Sequence, residues 1–127
     1  MKTSTKLWIN FAEDDLRSLK TMYSAKLWRG VAVYAQQCVE KIIKAYICEY
    51  IEDPPPKGHF IEILIKKSKL DMAPLGNPPV EKLYIAYGWA RYPDLSYTHF
   101  KKEKTVEDLY KMAITIYPWI KSKILKP

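Results

Sequence analysis

Between Val31 and Cys48, apolar side chains recur on nearly every turn: Val31, Ala35, Cys38, Val39, Ile42, Ala45, Tyr46 and Cys48. At about 3.6 residues per turn these positions cover a much wider arc than the single stripe of a surface helix. A helix apolar over so much of its circumference is stable only when several neighbours surround it. The segment therefore predicts a central helix, from the Trp28-Arg29-Gly30 turn to about Ile51, around which the other elements pack. Its polar side carries Gln36, Gln37, Glu40, Lys41 and Lys44. Glu40 precedes Lys44 by four residues, the favourable order for an ion pair along a helix.

The rest of the chain supplies the neighbours. Trp8, Phe11 or Ala12, Leu16, Leu19 and Tyr23 form a stripe at spacings of three and four, predicting a helix over about residues 5 to 24 capped by Ser4 or Thr5. Glu13, Asp14 and Asp15 fall early in it, where carboxylates suit the positive end of the helix dipole. Three consecutive prolines and Gly58 break the chain at Asp53–Gly58. A short helix follows over about Phe60 to Lys69, with Ile61, Leu64 and Ile65 inward, and then a proline-rich loop from Asp71 to Pro79. Val80, Leu83, Tyr84, Tyr87 and Arg91 share one face of the next helix, which Pro93 should stop, leaving Asp94 to Phe100 irregular. Thr105 with Asp108 resembles a capping box. Val106, Leu109, Ala113, Ile116, Ile120 and Ile124 form the stripe of a last helix, which Pro118 should kink. The expected fold is all-α: an antiparallel up-and-down bundle of four long helices plus one short helix, as a single domain over residues 1–127.

Composition narrows the function. The chain has 127 residues, 48% hydrophobic and 28% charged, which suits a folded domain. No apolar run approaches the roughly 18 residues that span a bilayer, and acidic residues enter the N-terminal segment too early for a signal peptide, so a cytoplasmic protein is expected. Cys38 and Cys48 lie roughly 15 Å apart along one helix, too far for a disulfide. No histidine or cysteine cluster suggests a metal, and no cofactor is expected. The net charge of +7, from 21 basic and 14 acidic residues, favours an acidic partner such as nucleic acid or nucleotide. The lysine runs at 66–69, 101–104 and 121–123 read as solvated faces. Trp8, Trp28, Trp89 and Trp119 exceed what a small bundle buries, which predicts an aromatic interface and a homodimer.

Taken in order, four segments resemble those of HEPN-domain proteins: Asp15-Leu16 in the first helix, Ala35-Gln-Gln-Cys-Val-Glu-Lys-Ile-Ile-Lys-Ala45 in the second, Lys57-Gly-His-Phe-Ile-Glu-Ile-Leu64, and Ala90-Arg-Tyr-Pro-Asp94 after a tyrosine-rich helix. The resemblance implies a dimerising bundle of four or five helices. It also implies one of three activities: an RNase toxin with an Arg-x(4–6)-His motif, a partner of a minimal nucleotidyltransferase in a toxin–antitoxin-type pair, or a non-catalytic nucleotide- or RNA-binding module.

The residues allow the first of these to be examined. Metal-independent RNA cleavage needs a group to move the 2′-hydroxyl proton and a fixed cation to meet the developing charge. Arg91 suits the second role and His99 the first, but seven residues separate them where the motif has four to six, and Pro93 stiffens the connection. Binding without cleavage is therefore the preferred expectation, with Arg91, Tyr87, Gln37 and Lys44 as candidate nucleotide or phosphate contacts. Glu40 and Asp94 are candidate structural partners, Asp94 for Arg91 itself. His99 alternatively packs between Tyr97 and Phe100. His59 reads as a helix-start or packing residue. A third alternative is a protein-interaction subunit that binds no nucleotide.

Overall fold

A computed structural model describes residues 1–126. It contains six α-helices: α1 (Thr3–Ser24), α2 (Trp28–Tyr50), α3 (Ile61–Ser68), α4 (Glu81–Ala90), α5 (Pro93–His99) and α6 (Lys104–Leu125), with one 3₁₀ turn at Ala73–Leu75 between α3 and α4. Among the described residues there is no strand, and no helix is long and apolar enough to cross a membrane.

The wide apolar arc has the expected consequence. α2 packs against α1, α3, α4 and α6, and Val31, Ala35, Cys38, Val39, Ile42, Ile43 and Ile47 are wholly buried. Each buried isoleucine of this kind contributes on the order of 1.5–3 kcal/mol of transfer free energy. The ends of the helices give their directions. The start of α1 meets the end of α2, where the Glu49 carboxylate accepts from the Lys2 backbone N–H (3.0 Å) and the Thr5 hydroxyl (2.8 Å). The end of α4 meets the start of α2, where Arg29 Nε donates to the Ala90 carbonyl (2.6 Å). The start of α6 meets the end of α1, where the Tyr23 hydroxyl donates to Glu103 (2.5 Å). Successive major helices therefore alternate in direction.

Three helices are long, at 22, 23 and 22 residues, whereas α4 has ten. The segment expected to be irregular contains α5. Pro93 does end α4, but it also supplies the first helical position of α5, where its fixed φ is an asset. α1 begins at Thr3, and neither Ser4 nor Thr5 caps it; their hydroxyls reach instead to Asp53 and Glu49 across the bundle. Glu13, Asp14 and Asp15 consequently sit in mid-helix, pairing with Lys121, Arg17 and Lys41. Thr105 forms no capping box, because the helix has already begun at Lys104; its hydroxyl donates to the Lys102 carbonyl. α6 runs through Pro118 without breaking. Both cysteines are free and buried, and burial pushes the Cys38 thiol up to about 12.

The largest departure concerns the polar side of α2. Gln36, Glu40 and Lys44 are almost completely buried. The carboxylate of Glu40 accepts from Gln36 Nε2 (2.8 Å) and Lys44 Nζ (3.2 Å) and lies 3.1 Å from His59 Nδ1. Gln36 Nε2 also donates to the His59 carbonyl (3.2 Å). α2 is thus enclosed on this side too, by the proline-rich segment entering α3, and the polar groups are buried because they satisfy one another.

Candidate nucleic-acid interface

The buried stripe of α4 is Leu83, Ala86 and Ala90. Arg91 lies one residue beyond, roughly 100° further round the helix, and it is exposed rather than on the buried face. Its guanidinium sits over the Tyr87 ring, 4.9 Å from the centroid. Asp94 is also exposed, and among the described residues it makes no ion pair with Arg91 or with any other cation.

Arg91 instead lines a groove of about 480 Å³ with Arg29, Tyr97 and Lys101, floored by Phe100. Phe100 and the side chains of Arg29 and Lys101 also border an adjoining groove of about 770 Å³, which adds Lys26, Trp28 and Tyr34. The site is made by three junctions: the α1–α2 turn, the end of α4 and the exit from α5. Each cation has a local reason for its place. Lys26 closes α1 in the left-handed conformation (φ 60°), with its N–H donating to the Tyr23 carbonyl. Arg29 is anchored on the last carbonyl of α4. Lys101 Nζ lies 4.3 Å above the Tyr97 ring.

The electrostatics of this surface are one-sided. Lys26, Arg29, Arg91 and Lys101 form no ion pair among the described residues, and no carboxylate lines either groove. Elsewhere, among the described residues, six of the 21 basic side chains are paired with carboxylates, among them Lys41 with Asp15, Lys44 with Glu40, Lys111 with Glu107 and Lys121 with Glu13; what sets the grooves apart is the convergence of four cations with no carboxylate in the lining. Four cations beside the exposed ring of Tyr97 and the half-buried rings of Trp28, Tyr34 and Tyr87, with no carboxylate in the lining, suit phosphate groups and unpaired bases.

His99 lies elsewhere. Its ring stacks on Trp89 (centroids 3.9 Å apart, planes at 12°), and the pair borders an apolar cavity of about 880 Å³ between α4 and α6, together with Ile85, Leu109 and Met112. Within the chain, therefore, Arg91 and His99 line different cavities. Phe100 is a weaker neighbour of His99, at 6.5 Å; Trp89 comes into reach only because α5 turns the chain back.

The remaining candidates separate in the same way. Tyr87 touches Arg91. Lys44 is 4% exposed and held by Glu40, so it is not free to meet a phosphate. Gln37 donates to Gln36 (2.5 Å) and does not line the groove. Arg29, Lys26 and Lys101 are additions. In the sequence Arg29 belongs to a turn and Lys101 to a solvated run; neither spacing nor composition brings residues 29 and 91 together.

A family model for the HEPN domain matches residues 5–123. Comparison with curated proteins and with solved structures returned no match.

Proposed function

This chain belongs to the HEPN-domain family, and we propose that it is a non-cleaving module that holds RNA or nucleotide phosphates in the groove at Arg91. The observation that carries this reading is the set of four cations without ion pairs among the described residues, Lys26, Arg29, Arg91 and Lys101, spread over two adjoining grooves that no carboxylate lines. The family supports it at a coarser level, since HEPN membership points to nucleotide- or RNA-related or toxin–antitoxin work. In the finer reading the chain acts as a homodimer beside a minimal nucleotidyltransferase partner. Exposed Trp89, Tyr92 and Tyr97 favour such contacts, and the excess of basic charge favours an acidic partner.

Cleavage by Arg91 and His99 is the alternative. It requires a second copy to bring a histidine to the groove, because the protomer's own His99 faces the apolar cavity. Incubating the pure protein with mixed RNA, alongside Arg91→Ala and His99→Ala, separates the two. The binding reading expects intact RNA with all three proteins and weaker RNA retention by Arg91→Ala alone. Cleavage abolished by both substitutions would overturn it.

A further inference from the structure

Beyond Arg91, a row of rings runs away from the groove. Arg91 lies over Tyr87 (4.9 Å), Tyr87 is 5.9 Å from Tyr84, and Tyr84 is 4.6 Å from Phe60 at the entrance to α3. These rings are not core. Tyr23, Tyr34, Tyr46 and Tyr110 pack against the hydrophobic cluster, whereas Phe60, Tyr84 and Tyr87 are not part of it. Phe60 is 46% exposed, although burying a ring of that size is strongly favourable.

The buried polar network explains how such a ring is held at the surface. His59, the residue before Phe60, is tied to α2 twice: its carbonyl accepts from Gln36 and its ring meets Glu40. Glu40 is fixed in turn by Lys44. The fixed backbone leaves Phe60 in line with the tyrosines of α4.

We infer that the row Phe60–Tyr84–Tyr87–Arg91 is a stacking track for the unpaired bases of a single strand whose phosphates lie in the adjoining groove. The inference rests on the groove being a phosphate site and adds the class of nucleic acid it takes. Successive aromatic groups about 5–6 Å apart suit bases splayed from an extended strand, because every base has a π-face and an arginine plane can end the row. A duplex cannot use such a track, since its bases already stack on one another. The segments Ala35–Ala45 and Lys57–Leu64 thereby act together, the first carrying the anchor and the second the ring.

The test measures fluorescence polarisation with a labelled RNA strand of about 12 nucleotides, within the span such surfaces cover, and with its blunt duplex. A 2-aminopurine base in the strand reports stacking directly. Wild type is expected to prefer the strand and to quench the probe. Phe60→Ala should weaken strand binding by about fivefold or more, relieve the quenching and leave duplex binding unchanged, with Phe60→Tyr restoring both signals. Unaltered strand binding by Phe60→Ala, or an equal loss for strand and duplex, overturns the track. The variant Lys26→Ala with Lys101→Ala reads the groove separately, since it should weaken strand and duplex alike. If that variant binds both as wild type does, the groove fails; absence of any binding by wild type overturns both.

Discussion

Glu40 illustrates how one residue links the interior to the surface. Its buried carboxylate meets the buried Lys44 and Gln36 and, at the surface side, the exposed ring of His59. Removing one member leaves a buried charge without compensation, which typically costs about 3–5 kcal/mol. Lys44→Met should therefore lower the urea midpoint sharply, whereas Glu40→Leu combined with Lys44→Met should recover much of the loss; equal destabilisation by both would contradict the account. Lys26 makes the opposite point. Its left-handed backbone costs about 1 kcal/mol relative to glycine. Lys26→Gly should raise stability by about that amount while weakening RNA binding, and denaturation and binding assays read the two effects independently. The Glu40–Lys44 spacing is plain in the sequence. That both are buried is not, because the proline-rich segment covering them reads only as a break in the helical pattern.

Between elements, the contact of α1 with the end of α2 should respond to pH. The Lys2 backbone N–H, then the Thr5 hydroxyl, hold the Glu49 carboxyl below its ordinary value of 4.5. A depressed carboxyl contributes stability that is fully present above the ordinary value and lost as pH falls through the lowered one. The melting temperature should accordingly stay level from neutrality to about pH 5 and fall below it, with Glu49→Gln removing part of that fall; an unchanged pH profile in the variant would count against this contact. The long helices are legible because periodicity marks a helix that buries one face. α5 is not, because Pro93 signals the end of one helix as strongly as the start of the next. The large apolar residues of α4 also place its stripe about one residue too far round, which puts Arg91 inside. Ala86 and Ala90 are the residues that face the core, and small residues signal burial weakly.

For the whole molecule, the net charge of +7 matters less than its distribution. Lys41 and Lys44 on α2 and Lys111 and Lys121 on α6 are offset by carboxylates, so the four cations that converge at the three junctions, in grooves lined by no carboxylate, form the distinctive surface. That convergence is not legible in the sequence. It requires residues 26, 29, 91 and 101 to meet through turns whose geometry no local pattern encodes, while the family resemblance implies the helical fold and offers Arg91 as a candidate without its companions. The measurement that tests the central claim most directly compares two charge-matched double variants. Lys26→Ala with Lys101→Ala empties half the groove; Lys6→Ala with Lys20→Ala removes the same charge from exposed sites on α1. Polarisation titrations of labelled single-stranded RNA across a salt series should give wild type a logarithmic slope near −3, about 0.7 per cation. The groove variant should show weaker binding and a slope shallower by about 1.4, and the α1 variant should match wild type. Equal weakening by both variants would mean that RNA is held by diffuse charge, and the groove would not be the site.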